Sequence, residues 1–370
     1  MGSVHLGLSG YSSRSRRCRA QSINCTRLVR FSRNRYREIP GTGLVSYPVS
    51  QDPVDDLQKA GRFIRRGSSQ NVGQSTFLPG FQPGQRWPSK GNRPVRGLEM
   101  NSLESDHKSG VRTYGKKPFR AALLHGGPGA PGYMAPVARK LSRYMGVIEP
   151  LQSADSIAGQ VEELKQQIEK NAQPPLALIG SSWGAVLALI TAARHPLLAD
   201  RLILIGSAVF DNESAKSIEP RRLARMDQTE KDRYKEIAEK MITATGKGRD
   251  ELMAEWGELL DKSDYFDPLT TESEVIEVQY ETFQKVFSEF VKMRDDPEKI
   301  SAELENINVP VTLIHGQYDP HPIEGILPFL EKCLPEISYH RLADCGHYPW
   351  NERQARDRFY DIIRTELNGR

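Results

Sequence analysis

Short apolar runs alternate with segments of helical spacing along the middle of the chain. Four of these runs have the length and composition of buried strands, at 120–125, 147–151, 176–180 and 201–205. Between them, apolar positions recur every three or four residues, which predicts helices at 134–144, 157–171 and 183–194. Strands that alternate with helices in this way predict a parallel sheet whose two faces are both covered by helices.

The alternation stops near residue 209 and resumes near residue 306. The segment between these points is charged, and its helical patterns cover Thr229–Met241 and Glu274–Met293. Beyond it the alternation returns, with strands predicted at 309–315 and 336–342 and helices at 323–334 and 352–367. A helical insertion between two strands of such a sheet predicts a cap over the sheet.

The first hundred residues differ in composition from the rest of the chain. They contain 17 Lys and Arg against 5 Asp and Glu, whereas the remaining 270 residues contain 34 against 42. No sustained strand or helix period is found there, and such a composition buries too little apolar area to offset chain entropy. We expect residues 1–105 to form a disordered basic extension with at most a short helix near Val54–Arg66, and residues 106–370 to form the folded domain.

Two interpretations of this extension compete. Residues 1–38 are rich in Arg and Ser and almost free of acids, as in an organelle transit peptide. Alternatively the chain starts at Met100, because folded-domain patterning begins only after it, and a cytoplasmic location follows. A secretory signal is disfavoured because no apolar core follows the charges. Myristoylation is disfavoured because Leu6 stands where Ser or Thr is needed.

The composition also argues against several function classes. No window approaches the roughly 18 consecutive apolar residues of a membrane-spanning helix. The four cysteines form no CxxC pair, which argues against a zinc or dithiol site. The basic extension has no regularly interleaved aromatic residues, so no nucleic-acid partner is expected. We expect no metal and no organic cofactor, and a small molecule or short peptide as substrate. The oligomeric state is not indicated.

The segment Gly180–Gly184 carries the clearest chemical pattern. It reads Gly-Ser-Ser-Trp-Gly, which fits G-x-S-x-G with Ser182 at the centre. A serine on a sharp turn between a strand and a helix needs small residues two positions before and after it, because the two backbones nearly touch. The predicted strand before it and the apolar helix after it provide that context. Ser182 is therefore the predicted nucleophile.

Three further segments complete a predicted catalytic group. His125–Gly129 forms a glycine-rich turn directly after a predicted strand. Asp319 follows the strand at 309–315, and His347 follows the strand at 336–342, which matches the chain order Ser, acid, His. Asp211, after the fourth strand, competes with Asp319 as the acid.

These motifs resemble those of the α/β-hydrolase superfamily over about residues 111–367. His125–Gly129 (His-Gly-Gly-Pro-Gly) and the elbow at Ser182 most resemble the proline iminopeptidase-like branch. The acidic-Gln-Arg-Gly motif usual in that branch is missing after Val147–Leu151. The resemblance implies a mostly parallel sheet flanked by helices, with a helical cap at about 209–306.

The resemblance also implies a function and the residues that carry it. The expected activity is hydrolysis of a small ester, amide or related acyl substrate through an acyl-enzyme, with the triad Ser182, His347 and Asp319. The N–H groups of Gly127 and Trp183 are the candidate oxyanion donors. An acyltransferase and a non-catalytic ligand-binding homologue are the alternatives.

Several other polar residues receive a weaker interpretation. His125 and His315 are expected to support loops by hydrogen bonding rather than to act in catalysis. His321 follows Asp319 closely and could line the pocket, but a surface role is expected for it. No substrate-binding residue can be assigned, although Glu277 and Glu281 in the predicted cap are available to bind an amine.

Overall fold

The computed structural model describes residues 110–270 and 274–369, and the structural statements below concern this part of the chain. Three predictions lie outside the described residues: the disorder of residues 1–105, the short helix at Val54–Arg66 and the alternative start at Met100. Within the described ranges, none of the helices combines the length and the apolar character needed to cross a membrane.

A seven-stranded sheet with the order β1-β3-β2-β4-β5-β6-β7 forms the centre of the fold. Six strands run parallel, and β1 pairs antiparallel with β3 at one edge. The strands are β1 (Val111–Tyr114), β2 (Phe119–Leu124), β3 (Gly146–Pro150), β4 (Leu176–Ser181), β5 (Ala199–Ile205), β6 (Val311–Gly316) and β7 (Ile337–Leu342). The predicted mostly parallel sheet is confirmed.

Helices cover both faces of this sheet and form the insertion between β5 and β6. The helices of the described residues are α1 (Ala135–Leu141), α2 (Ile157–Asn171), α3 (Trp183–Arg194), α4 (Asn212–Arg225), α5 (Gln228–Met241), α6 (Lys247–Asp264), α7 (Tyr280–Arg294), α8 (Pro297–Leu304), α9 (Leu327–Cys333) and α10 (Arg356–Asn368). Short 3₁₀ turns occupy Ile323–Gly325 and Pro349–Asn351. Helices α4 to α8 lie between β5 and β6, and no named strand of the described residues interrupts them. We call this helical insertion, from Asn212 to Leu304, the cap.

Alternate residues of the central strands enter two separate cores. Leu178 of β4 belongs to the core under α2, α3, α8 and α9, whereas its neighbour Ile179 belongs to the core under α1 and α10. Both side chains are fully buried. Because successive strand residues point to opposite faces, a strand covered on both sides must be apolar at every position. This explains why these strands appear in the sequence as continuous apolar runs.

Two elements differ from the sequence expectation. Strand β1 was not predicted, because it is four residues long and its middle residues are Arg112 and Thr113. The helix predicted from Glu274 begins only at Tyr280. Before it the chain is not helical, since Ile276 N–H donates to Pro131 O (2.9 Å) and Gln279 N–H donates to Gly129 O (2.8 Å). These bonds place the segment alongside the glycine-rich loop. The local helical pattern could not predict this, because the bonds join residues far apart in the chain.

Candidate active site

A single residue, Ser182, separates strand β4 from helix α3. Its backbone has φ 53° and ψ −117°, a region that non-glycine residues adopt only at a cost of about 1–3 kcal/mol. Its N–H donates to Ile205 O at the end of β5 (2.9 Å), which ties the turn to the neighbouring strand. The turn therefore presents the serine at the carboxyl edge of the sheet.

Close backbone contacts explain the glycines around this turn. A Cβ added to Gly180 would overlap the carbonyl of Gly184, and one added to Gly184 would overlap the carbonyl of Leu124. A Cβ on Gly126 would lie 2.8 Å from Ser182 Cβ. The spacing of small residues in the sequence thus follows from three backbones meeting at one point.

The glycine-rich loop after β2 lies beside the serine. Gly126 N–H donates to the hydroxyl of Tyr133 (2.7 Å), and that hydroxyl donates to Ser181 Oγ (3.2 Å). The next residue, Gly127, has φ +47°, which favours glycine. Within the described ranges, neither Gly127 N–H nor Trp183 N–H has a hydrogen-bond acceptor. Both donors are available to an oxyanion.

His125 supports this loop through hydrogen bonds of its ring. Its Nε2 accepts a hydrogen bond from Gln152 N–H (3.2 Å), so Nδ1 carries the proton and donates to Gly126 O (2.9 Å). Complete burial lowers the pKa of His125 to about 4, so the ring is neutral at physiological pH. The structure therefore places His125 in a loop-supporting position, as expected.

Asp319 and His347 meet at the ends of the neighbouring strands β6 and β7. Asp319 Oδ2 lies 2.7 Å from His347 Nδ1, and both side chains are buried. Burial alone would raise the pKa of Asp319, but His347, His315 and His321 together hold it well below its usual range. Burial alone would lower the pKa of His347, but the carboxylate of Asp319 raises it. The pair thus combines an ionised acid with a strengthened base.

Asp211, the competing acid, lies elsewhere. It is the N-cap residue of α4, where its Oδ1 accepts a hydrogen bond from Ser214 N–H (2.7 Å). No hydrogen bond joins it to His347 among the described residues. The carboxyl group that contacts His347 is that of Asp319.

Gly206 links the serine side of the site to the histidine side. It follows Ile205, which accepts the Ser182 N–H, and it has φ +49°. A Cβ added to Gly206 would lie 3.0 Å from both Asp319 Oδ2 and His347 Nδ1. Within the described residues, Ser182 Oγ has no hydrogen-bond partner, so no bond joins it to His347, whose Nδ1 bonds to Asp319. Hydrogen bonds between catalytic groups are often long without substrate and tighten in the complex.

His321 was expected at the surface, and that expectation is wrong. The residue is 9% exposed, its Nδ1 lies 2.8 Å from Asp319 Oδ1, and its ring stacks on that of His347 with centroids 4.4 Å apart. The chain bends at Pro320 and His321, and the backbone N–H of His321 donates to the same carboxylate (2.9 Å). Only the adjacency of His321 to Asp319 could have signalled this in the sequence.

The cap is joined to the histidine loop by a network that the sequence did not reveal. His347 N–H donates to Asp264 O at the end of α6 (2.8 Å). Glu352, which is fully buried, accepts N–H bonds from Phe266, Asp267 and Gly346, each at 2.8 Å. These bonds hold the end of α6 against the segment that carries His347.

Three other acids of the cap differ in their positions. Asp261 Oδ1 accepts a hydrogen bond from the hydroxyl of Tyr348 (2.6 Å), and burial raises the pKa of Asp261 to about 6. Glu277 and Glu281, considered in the sequence as amine ligands, are exposed. Of these three acids, Asp261 is the one that contacts the histidine loop.

Among the described residues, the cluster of Asp319, His321 and His347 has a geometry that could hold a metal ion. One ligand atom of each of Asp319, His321 and His347 lies within 4.8 Å of the others. However, Nδ1 of each ring already bonds to the carboxylate of Asp319. A metal at that position would have to displace both hydrogen-bonded protons, so a hydrogen-bond network accounts best for the arrangement.

Comparison with known structures gives several distant similarities. VinJ is 18% identical, with a TM-score of 0.49, over 70% of this chain and 93% of that one. Proline iminopeptidase from Mycobacterium smegmatis is 16% identical, with a TM-score of 0.46, over 70% and 93%. A 2-hydroxy-6-oxo-6-phenylhexa-2,4-dienoate hydrolase from a Rhodococcus strain is 17% identical, with a TM-score of 0.45, over 70% and 94%. At these identities the likeness concerns the fold alone.

Comparison with protein families is more decisive. A search of curated protein sequences gave no match. The model of the alpha/beta hydrolase fold family matches residues 78–352, which is more than half of the chain. The chain belongs to the α/β-hydrolase family.

Proposed function

We propose that the protein is a serine hydrolase that cleaves a small ester, amide or related acyl substrate through an acyl-enzyme. Ser182 is the nucleophile, His347 the general base and Asp319 the acid that orients it. The N–H groups of Gly127 and Trp183 bind the oxyanion. The proposal rests above all on one juxtaposition: a serine held at positive φ on a strand-to-helix turn, beside a buried histidine–aspartate pair at the same sheet edge.

The chemistry follows from this arrangement. Ser182 Oγ attacks the carbonyl carbon of the substrate while its proton passes to His347 Nε2. The negative charge that develops on the carbonyl oxygen is stabilised by the two backbone N–H groups. His347 then gives the proton to the leaving group as the bond to the acyl carbon breaks. A water molecule, deprotonated by His347, releases the acid product and regenerates Ser182.

A fluorophosphonate probe tests the proposal directly, because it phosphonylates an activated serine without any knowledge of the substrate. The wild-type protein should be labelled, and Ser182→Ala should not be. Ser181→Ala is the matched control, since it changes the adjacent serine and should leave labelling in place. Intact mass spectrometry gives the readout. Absence of labelling in the wild-type protein would favour a non-catalytic ligand-binding role.

The type of acyl substrate needs a separate experiment. The glycine-rich loop at His125–Gly129 favours a proline iminopeptidase-like activity, and the buried Asp261 places an acidic group near the histidine loop. A panel of chromogenic esters and aminoacyl amides, including a proline amide, would separate the subclasses. Turnover of the proline amide would support the peptidase, whereas turnover of esters alone would support an esterase.

A further inference from the structure

His321 occupies the second oxygen of the carboxylate that binds His347. Asp319 Oδ2 contacts His347 Nδ1 at 2.7 Å, whereas Oδ1 accepts from His321 twice, from its backbone N–H at 2.9 Å and from its Nδ1 at 2.8 Å. A carboxylate held on one oxygen can rotate about the bond to its carbon. Bonds to both oxygens hold the plane of Asp319 in one orientation.

The protonation state of His321 follows from its surroundings. Burial, together with the charge that His347 can carry, lowers the pKa of His321 to about 4. The ring is therefore neutral, and because the carboxylate is an acceptor, the single proton lies on Nδ1. The imidazole of His321 donates a hydrogen bond to Asp319 but carries no positive charge of its own.

His315 fixes the backbone that carries this donor. Its Nε2 donates to the carbonyl oxygen of His321 (2.9 Å), so its Nδ1 has no proton. That Nδ1 lies 3.8 Å from Asp319 Oδ2 and makes no hydrogen bond within the described residues. The hydrogen bond of His315 therefore fixes the backbone of His321, while its ring makes no hydrogen bond to the carboxylate among the described residues.

Charged groups on other elements also face the cluster. Helix α6 contributes Asp261 and Asp264, and α4 contributes Arg222, which binds Asp264 through two hydrogen bonds of 2.7 and 2.5 Å. Burial and His347 have the largest influence on the pKa of His321, and Arg222 has a smaller one. The carboxylate of Asp319 thus bonds to two imidazoles and to the backbone N–H of His321. The side chains of Arg222 and Asp264 bond to each other instead.

We propose that His321 is a positioning residue, whose imidazole N–H fixes Asp319 so that the other oxygen stays aligned with His347. This inference rests on the proposed serine hydrolase function. Removal of the donor has two consequences. Asp319 Oδ1 keeps the backbone N–H of His321 but loses the Nδ1–H, so the carboxylate is held less firmly in line with His347. It also keeps more of its negative charge, which raises the pKa of His347.

The test measures the second-order rate of fluorophosphonate labelling against pH. His321→Ala should label about tenfold more slowly, with its acid limb about half a unit higher in pH. His321→Asn should recover most of the rate and the wild-type limb, because the amide N–H can take the place of Nδ1–H. His195→Ala, at the far end of α3, is the matched control and should behave as wild type.

Distinct outcomes separate the failure of this inference from the failure of the proposed function. A wild-type rate and limb in His321→Ala, or no recovery in His321→Asn, would overturn the inference alone. If the wild-type protein does not label, the proposed function fails. The inference is then decided by the proton NMR signal of His347 Nδ1–H, which should move in His321→Ala and return in His321→Asn.

A folding defect is controlled by a second pair of variants. Where His321→Ala does not fold, His321→Asn is compared with His321→Gln, whose amide N–H reaches the place of Nε2 instead. Asn should keep the wild-type pH limb and Gln should shift it. Equal limbs in the two variants would overturn the inference.

Discussion

The serine side and the histidine side of the candidate site are stabilised in different ways. Around Ser182, glycines allow three backbones to meet, and the contacts join residues of β2, β4 and α3. Around His347, side chains and cap residues provide the support, through Glu352 and the carbonyl of Asp264. The first region depends on the absence of side chains at its glycines. The second depends on specific side chains from distant parts of the chain.

This difference has a consequence for mutation. On the serine side, adding a methyl group creates overlap and threatens the fold itself. On the histidine side, removing a polar group leaves the sheet intact but frees a loop or a ring. Substitutions on the serine side should therefore act through stability, whereas those on the histidine side should lower activity whether or not stability also falls.

The largest effect is expected for Asp319→Asn, which sharpens the comparison on the histidine side. Under the proposed function it should lower kcat about 10⁴-fold, because an amide cannot stabilise the imidazolium of His347. The acid limb of kcat/KM should lie above pH 6.5 in wild type, since Asp319 raises the pKa of His347 and the base must be neutral. In the variant that limb should move to lower pH.

Asp211→Asn is the matched control for this substitution. Asparagine caps helices about as well as aspartate, so the N-cap of α4 should persist and kcat should stay unchanged. A loss of activity in Asp211→Asn, combined with normal activity in Asp319→Asn, would reverse the assignment of the acid. Steady-state kinetics on a turned-over ester gives the measurement.

Gly184→Ala tests the serine side. The added Cβ would overlap the carbonyl of Leu124, so the free energy of unfolding should fall by about 3 kcal/mol. Gly257→Ala is the control, because that glycine lies within α6 with no heavy atom near its added Cβ. It should be neutral or stabilising, since alanine has the higher helix propensity. Urea unfolding measures both, and equal stability of the two variants would contradict the close-contact explanation.

Glu352→Gln tests whether the cap holds the histidine loop. The substitution removes the charge that accepts three backbone N–H bonds, and it should lower the free energy of unfolding by about 2 kcal/mol. The labelling rate should fall about tenfold as the His347 segment loosens. Glu336→Gln, at an exposed position, serves as control. A stable Glu352→Gln variant with normal labelling would show that the loop is held by other contacts.

The sequence predicted the fold class and most of its elements. Strands β2 to β6 and helix α3 match apolar runs and helical spacing, because burial on two faces favours apolar side chains along a strand. The edge strand β7 was also predicted, although only its last residue is buried. The elbow at Ser182 was also predictable, because its glycines answer a local steric need. Strand β1 and the non-helical segment before Tyr280 were not, since both depend on pairing with distant residues.

Local sequence, then, determined the strands, the covering helices and the position of the serine turn. The tertiary structure decided which carboxyl group contacts His347, where His321 lies and how Glu352 joins the cap to the loop. The physical reason is the range of the interactions: backbone sterics and hydrophobic period act between neighbours in the chain. Hydrogen bonds to a buried carboxylate instead join residues that only the folded sheet brings together.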